Sequence, residues 1–266
     1  MKIGQNFAAF GTARAERRRA RALFPKDPIG YADEKAARTA IAKVRDRTMI
    51  AYPALTSLWE MIRHCELNEI PGAFVECGVW KGGVGGFMAL GNLAMSSRRR
   101  PIHLFDAYDD ICEPDPEVDG ERAVSEVEAL SGRSRSTLSG KMEPLTGVYD
   151  SLGGAGDAEV VRRFVADDLG YGDQNTHIHK GWFQDTVPAS DTGPIAILRL
   201  DGDWYESTKV CLENLYDRVV SGGFVIIDDY GTYEGCQKAV DQFIEELGHP
   251  VFLSFVTPDV RYFIKP

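Results

Sequence analysis

The chain has 266 residues, of which 44% are hydrophobic and 26% are charged, and its formal net charge is −10. These values are typical of a globular protein with one large domain or two small ones. The negative charge argues against a nucleic-acid partner, because binding to a phosphate backbone needs clustered cations. We also expect no membrane partner, since no apolar stretch approaches the roughly 20 residues of a transmembrane helix.

The cysteines carry no motif. Their spacing never forms C-x-x-C, which argues against a zinc knuckle or a redox pair. An odd number of cysteines in a chain of this length is not typical of a disulfide framework, so we expect reduced thiols and a cytoplasmic location. The five are Cys65, Cys77, Cys112, Cys211 and Cys236.

The first 25 residues are basic and contain no apolar segment of the kind that a secretory signal needs. They could form a membrane-surface or anion-binding helix, although a solvated helical arm or a poorly ordered terminus is the simpler interpretation. Helical periods follow at residues 34–46 and 53–67, and Pro53 lies in a first turn, where proline is tolerated. We assign residues 1–70 to an N-terminal helical arm or lid. The arginines of the basic stretch are Arg14, Arg17, Arg18, Arg19 and Arg21.

From residue 71 onward, short apolar runs alternate with helical periods. Such alternation predicts a parallel, doubly wound α/β sheet. Strands are predicted near residues 73–77, 101–106, 176–180, 194–201 and 222–229. Helices are predicted in the period that follows residue 81 and at residues 158–169, 205–219 and 233–247.

The last sixteen residues or so read as a hairpin, P-V-F-L-S-F-V and V-R-Y-F-I-K, with Pro258 and Asp259 in the turn. One of its strands must run against the others, so the sheet should be mostly parallel with an antiparallel C-terminal hairpin. Residues 111–156 are rich in Gly, Ser, Pro and charge and should form one helix near 121–130 in an otherwise irregular, mobile lid. We assign residues 71–266 to one domain.

Two features follow the first two strands. The glycine-rich turn in E-C-G-V-W-K-G-G-V-G-G, residues 76–86, allows a ligand to approach the backbone closely. It is neither a regular G-x-G-x-x-G nor a P-loop, and a tight strand–helix crossover explains it as well. Asp106 ends the second strand, where nucleotide-binding folds place an acid for ribose hydroxyls, although an N-cap is an equal alternative.

Two later strands end in pairs of acids, in D-G-D at Asp201 and Asp203 and in D-D at Asp228 and Asp229. The carboxyl ends of parallel strands share one rim of the sheet, and like charges there are unfavourable without a cation between them. Carboxylate oxygens suit Mg²⁺ or Mn²⁺. Helix capping would explain one acid at each place but not the pairs, so a metal site is favoured.

His177 and His179 alternate along one strand and share a face. They could suggest a second metal pair, but no third ligand is evident nearby. A pair at the surface or the edge of the core is the favoured interpretation.

The block L-R-L-D-G-D-W-Y-E-S-T at 198–208, followed by G-G-F-V-I-I-D-D-Y-G-T at 222–232, resembles the macrocin O-methyltransferase family, the S-adenosylmethionine- and Mg²⁺-dependent sugar O-methyltransferases of antibiotic biosynthesis. R-T-M-I-A-Y, V-E-C-G-V-W-K-G-G, H-L-F-D-A-Y-D-D and K-G-W-F-Q-D-T-V-P match the other blocks of that family in order. The resemblance covers about residues 45–266. It implies a Rossmann-like methyltransferase fold, a small-molecule hydroxyl acceptor and a general base at Asp203.

The resemblance also implies two sets of ligands. The metal ligands would be Asp201, Asp228 and Asp229. The S-adenosylmethionine pocket would be lined by Thr48, Met49, Glu76, Cys77, Gly78, Val79, Trp80, Gly82, Asp106, Ala107, Gly181 and Trp182. In this set Asp106 would take the ribose hydroxyls, and Gly181 and Trp182 would lie near the adenine.

The sequence departs from the family in two places that bear on the acceptor. Residues 106–110 read D-A-Y-D-D where the family usually has D-S-F-Q-G, and the segment up to about residue 156 is longer than usual. The expected acceptor is a sugar hydroxyl of a glycosylated natural product, and the alternative is a catechol or other phenol. A nicotinamide-dependent dehydrogenase and a non-enzymatic cofactor-binding module also remain, although neither uses the acid pairs. We further expect a homo-oligomer.

Overall fold

The computed structural model describes residues 34–266, and within this range seven strands form a single sheet. The strands are β1 (Ala73–Cys77), β2 (Ile102–Asp106), β3 (Thr176–Lys180), β4 (Ile195–Leu200), β5 (Val219–Ile227), β6 (Ser254–Phe255) and β7 (Arg261–Ile264). Their order across the sheet is β3-β2-β1-β4-β5-β7-β6. Strands β1 to β5 are parallel, and β7 pairs antiparallel with both β5 and β6. The predicted doubly wound sheet with a C-terminal antiparallel hairpin is confirmed.

Eight α-helices lie in the described residues. They are α1 (Glu34–Val44), α2 (Tyr52–Leu67), α3 (Gly83–Met95), α4 (Gly120–Ser131), α5 (Ala158–Arg163), α6 (Phe183–Thr186), α7 (Tyr205–Leu215) and α8 (Glu234–Glu246). The helix predicted at 158–169 is shorter, because α5 passes into a π-helical turn over Phe164–Asp168. Pro53 is the second residue of α2, as its fixed backbone angle favours.

The sheet separates two hydrophobic cores, because successive side chains of a strand point to opposite faces. Phe74 and Ile197 face α1, α2, α3 and α5 in the first core. Val75 and Leu198 face α7 and α8 in the second. All five residues of β1 are buried, as expected of a central strand covered on both faces.

Residues 111–156, which we call the cap, are folded on a third hydrophobic cluster. Helix α4 is the helix predicted near 121–130, and it contributes Val124 and Val127 to this cluster. Trp204, next to the D-G-D motif, packs into the cluster and donates from its indole nitrogen to the carbonyl of Cys112 at 3.0 Å. The rest of the cap is irregular but packed, and its mobility stays a prediction.

The described part of the predicted N-terminal arm shares the first core with the sheet, through Ala37, Ile41 and Leu55. The boundary near residue 70 stays a prediction, and the basic stretch at Arg14–Arg21 lies outside the described residues. All five cysteines are buried and free, in line with the expectation of reduced thiols. Between residues 34 and 266, no helix has the length and apolar character needed to cross a membrane.

Candidate active site

The carboxyl ends of β1, β2 and β4 open onto one cleft of about 750 Å³, a volume that includes space open to solvent. It lies where the strand order reverses around β1, the position at which open α/β sheets bind ligands. The residues that line it are Met49, Gly78, Trp80, Asp106, Ala107, Asp109, Asp110, Ile111, Cys112, Met142, Tyr149, Trp182, Phe183, Asp201, Gly202, Asp203 and Ser207.

The three predicted metal ligands come together at this rim. Asp201, Asp228 and Asp229 each present one carboxylate oxygen, and these atoms all lie within 4.8 Å of one another. The parallel ladder places them, because the N–H of Asp201 donates to the carbonyl of Cys77 at 2.8 Å and that of Asp228 to Leu200 at 2.9 Å. Three hard oxygen donors at this spacing fit a small dication such as Mg²⁺.

Arg199 lies among these acids and was not among the predicted site residues. Its Nη1 is 2.9 Å from Glu76 Oε1 and 3.0 Å from Asp201 Oδ2, and its Nη2 is 2.8 Å from Asp228 Oδ1. The residue is only 2% exposed. A signal was available in I-L-R-L, because an arginine inside a buried strand needs a charged partner. The positive charge of Arg199 therefore offsets part of the repulsion among the clustered carboxylates.

Glu76 is the innermost of the acids. It is 1% exposed and faces the first core, on the same side of the sheet as Arg199. Burial raises the pKa of its carboxyl to about 8, although the neighbouring Arg199 acts in the opposite direction. Glu76 was predicted to line the cofactor pocket. Its side chain instead lies behind the wall of the cleft, in contact with Arg199.

Asp203, the predicted base, lines the cleft with an unusual backbone conformation. Its φ is +58°, in the left-handed region that non-glycine residues adopt at some cost. Its N–H donates to Oδ2 of Asp229 at 3.2 Å, which ties the base to a metal ligand. Burial, and then the charges of Asp201 and Asp228, raise the pKa of Asp203 well above its usual range. A raised pKa makes this carboxylate a better proton acceptor.

The glycine turn and Asp106 form the opposite side of the cleft. Asp106 Oδ2 accepts hydrogen bonds from the backbone N–H groups of Val79 at 2.6 Å and Trp80 at 2.8 Å, and Oδ1 accepts from Tyr108 at 2.5 Å. The carboxylate thus orders two turns, and its contact with a ribose stays a prediction. Gly78 has a φ of +92°, and a Cβ there would lie 1.9 Å from the backbone oxygen of Asp201. Only glycine allows β1 and β4 to approach so closely.

The predicted cofactor residues fall into three groups. The first lines the cleft and consists of Met49, Gly78, Trp80, Asp106, Ala107 and Trp182. The second lies beside it, in the backbone turns after β1 and β3 or against α3, and consists of Thr48, Val79, Gly82 and Gly181. The third, Glu76 and Cys77, has buried side chains, and that of Cys77 packs in the second core on the face away from Glu76.

Comparison with known proteins identifies the chain. The model of the macrocin O-methyltransferase (TylF) family matches residues 20–134 and 155–256. The chain belongs to this family. Its family and its fold are those of S-adenosylmethionine-dependent O-methyltransferases, and the chain is an enzyme of this class. The unmatched residues 135–154 fall in the cap, where the sequence departs from the family pattern.

Individual relatives support the same assignment. Demethyldecarbamoylnovobiocin O-methyltransferase of Streptomyces niveus is 34% identical over 196 residues, which span 74% of this chain and 67% of that protein. A rhamnosyl-tetracenomycin-C 4'-O-methyltransferase of Streptomyces olivaceus is 32% identical over the same shares. The solved structure of the O-methyltransferase NovP superimposes with a TM-score of 0.66 at 27% identity, covering 96% of this chain and 99% of that one.

The cap forms one wall of the cleft, and the residues of this wall were not among the predicted site residues. Ile111, Cys112, Met142 and Tyr149 line the cleft from the cap. Asp110 holds the wall in place, because its carboxylate accepts from the N–H groups of Gly147 at 2.8 Å and Tyr149 at 3.1 Å. No periodic pattern marks these positions, since they come from irregular backbone.

The histidines lie outside the cleft, on β2 and β3. His103 Nδ1 is 3.0 Å from His179 Nε2, and the ring of His177 stacks on His103 at 4.5 Å between centroids. Within residues 34–266 these rings do not form a set of three converging metal ligands. The favoured interpretation, a pair at the edge of the core, is extended by His103.

Proposed function

We propose that this methyltransferase transfers a methyl group from S-adenosylmethionine to a sugar hydroxyl of a glycosylated natural product in antibiotic or secondary metabolism, with Mg²⁺ as cofactor. The observation that carries the proposal is the convergence of Asp201, Asp228 and Asp229, whose carboxylate oxygens lie within 4.8 Å of one another beside the glycine turn. The relatives support the acceptor class, because two of them are named for methylation of a rhamnosyl and of a novobiocin derivative.

The roles of the protein's own residues follow from the geometry. A bound Mg²⁺ would supply Lewis acidity, which lowers the pKa of an acceptor hydroxyl and orients it. Asp201, Asp228 and Asp229 would hold the ion. S-adenosylmethionine would supply the methyl group and leave as S-adenosylhomocysteine, and Asp203 would take the proton that the acceptor hydroxyl loses. The cap wall at Met142 and Tyr149 excludes water from the acceptor.

The charged side chains of the cleft indicate which kind of sugar acceptor it would bind. Five acids line it, and the described lining residues include no lysine, arginine or histidine: Asp106, Asp109, Asp110, Asp201 and Asp203. A nucleotide-activated sugar carries two phosphate charges, and no cationic side chain among the described lining residues would pair with them. The proposal is therefore a sugar already joined to an uncharged aglycone, with the apolar cap wall against the aglycone.

A catechol or other small phenol is the second candidate. Four aromatic side chains line the cleft and could stack on a flat ring: Trp80, Tyr149, Trp182 and Phe183. Vicinal phenol oxygens would also present the same two donors to a metal as a sugar diol.

The test is methyl transfer from isotope-labelled S-adenosylmethionine to three acceptors, an aryl α-rhamnoside, a nucleotide-activated rhamnose and catechol, each with Mg²⁺ or with excess EDTA. We expect label in the aryl rhamnoside only, and only with Mg²⁺. Full activity in EDTA would remove the metal from the proposal. Preference for catechol would favour the second candidate, and preference for the nucleotide sugar would contradict the charge argument.

A further inference from the structure

Arg199 links the ends of three neighbouring strands. It belongs to β4, and its guanidinium contacts Glu76 of β1, Asp201 at the end of β4 and Asp228 at the end of β5. The contacts divide between two nitrogens, with Glu76 and Asp201 on Nη1 and Asp228 on Nη2. Two of the three partners are proposed metal ligands, and the guanidinium forms an ion pair with one oxygen of each, at 3.0 Å for Asp201 and 2.8 Å for Asp228.

Among residues 34–266, the acids in ion-pair contact with Arg199 are these three. Its side chain is 3% exposed and lies on the face of the sheet under α2 and α3. The guanidinium itself is therefore shielded from water, whereas the side chains of Asp201 and Asp228 keep 27% and 13% exposure. A buried arginine is stable only where its acidic partners are held in a favourable geometry. The same ion pairs therefore restrict the positions of the partner carboxylates.

The geometry points to Arg199 as a positioning residue of the metal site, one that fixes the ligating carboxylates of Asp201 and Asp228 before the ion binds. This inference rests on the proposed Mg²⁺ dependence. In it, Arg199 touches neither acceptor nor cofactor. It supplies a permanent positive charge and a rigid fork, so that the three strand ends keep their mutual placement in the metal-free enzyme.

The fork is what distinguishes arginine from lysine here. A guanidinium is planar and offers several N–H donors in fixed directions, whereas an ammonium is a single point of charge on a flexible stem. Arg199→Lys therefore keeps the charge of the cluster and removes the simultaneous bridge from Asp201 to Asp228. A change in metal affinity in this variant reports geometry rather than net charge.

The experiment measures Mn²⁺ binding by titration calorimetry and electron paramagnetic resonance, with no S-adenosylmethionine or acceptor present. We expect Arg199→Lys to weaken Mn²⁺ binding about ten-fold or more. In turnover assays, the Mg²⁺ concentration for half-maximal rate should rise by a similar factor, while kcat at saturating Mg²⁺ should change less than about three-fold. A merely structural role would not separate these two quantities.

The matched control is Glu76→Gln, which alters the third partner of Arg199 but leaves the contacts of Arg199 with Asp201 and Asp228. Its Mn²⁺ affinity should stay within about three-fold of the wild type. Should Arg199→Lys fail to fold, the double variant Glu76→Gln/Arg199→Met removes the guanidinium together with its buried carboxyl partner and should show the same loss of Mn²⁺ affinity.

Three outcomes contradict the inference. Wild-type affinity in Arg199→Lys or in the double variant overturns the positioning role alone. An equal loss in Glu76→Gln also overturns it, because the effect would then not depend on the bridge between the two ligands. Absence of Mn²⁺ and Mg²⁺ binding in the wild type would instead overturn the proposed metal dependence, and Arg199 would then serve as a counter-ion of the cluster.

Discussion

The backbone N–H of Asp203 donates a hydrogen bond to the carboxylate of Asp229, with 3.2 Å between nitrogen and Oδ2. The proposed base, which follows β4, is thus joined through its main chain to a proposed metal ligand that follows β5, and its side chain takes no part in this contact. This arrangement allows the two functions to be separated by mutation, because a change in the side chain of Asp203 leaves the contact with Asp229 intact.

Asp203→Asn should impair chemistry without impairing binding. The amide is close to isosteric with the carboxylate but cannot take the acceptor proton, and loss of a general base typically lowers rates by about 10² to 10⁴. Single-turnover methyl transfer should fall by that factor, while calorimetry should show unchanged affinity for Mg²⁺ and for S-adenosylmethionine.

Asp201→Asn is the comparison for Asp203→Asn. Because Asp201 is a proposed ligand, this variant should bind Mg²⁺ more weakly and recover part of its rate at high Mg²⁺. Loss of metal binding in Asp203→Asn together with its retention in Asp201→Asn would show that the two roles are reversed.

Gly78→Ala should disrupt the approach of β1 to β4. The new Cβ would lie 1.9 Å from the backbone oxygen of Asp201, and the φ of +92° adds strain. We expect a lower Tm and a loss of Mg²⁺ affinity, measured by thermal unfolding and calorimetry. Gly132→Ala is the matched control, because Gly132 also has a positive φ, +70°, but no heavy atom lies within 4 Å of its added Cβ. A similar loss of Mg²⁺ affinity in Gly132→Ala would contradict the close-approach argument.

The cap should exchange its amide protons faster than the sheet. Residues 111–156 rest on a small satellite core, whereas β4 is buried along its whole length. Trp204→Phe removes the indole donor to Cys112 and should accelerate exchange in the cap further, with β4 unchanged. Trp59→Phe is the control, since the indole nitrogen of Trp59 has no hydrogen-bond partner among residues 34–266. Cap exchange as slow as that of β4 in the wild type would rule out a mobile lid.

Acidification should destabilise the enzyme through His103. Burial, followed by the neighbouring His177 and His179, lowers the pKa of His103 to about 3, below its ordinary 6.5. The unfolded chain therefore binds the proton more readily, and stability is lost as the pH falls below 6.5. Between pH 7 and pH 5 this residue alone should remove about 2 kcal/mol of the free energy of unfolding.

Urea denaturation at both pH values measures this loss in the wild type and in His103→Phe. The variant should lose less stability than the wild type between the two pH values, by about the contribution of one histidine. His249→Phe should behave as the wild type, since His249 is exposed. An identical pH dependence in His103→Phe and the wild type would contradict the assignment.

The sequence by itself determined the fold and the rim of the site. Alternating apolar runs and helical periods imply parallel strands, and parallel strands bring their carboxyl ends to one edge. Asp106, Asp201 and Asp228 each follow such a run directly, so their convergence required only local patterns. The family blocks around the D-G-D and D-D motifs then led to the methyltransferase assignment, which the family match confirmed.

Only the tertiary structure decided which charges meet. Whether Arg199 faces Glu76 depends on the register of β1 against β4, where Glu76 pairs with Arg199 across the ladder, and no single strand contains that information. The three N–H groups on Asp106 and the cap wall of Met142 and Tyr149 likewise depend on turns far apart in the chain. Local patterns determine where a side chain points, whereas long-range packing determines what it contacts.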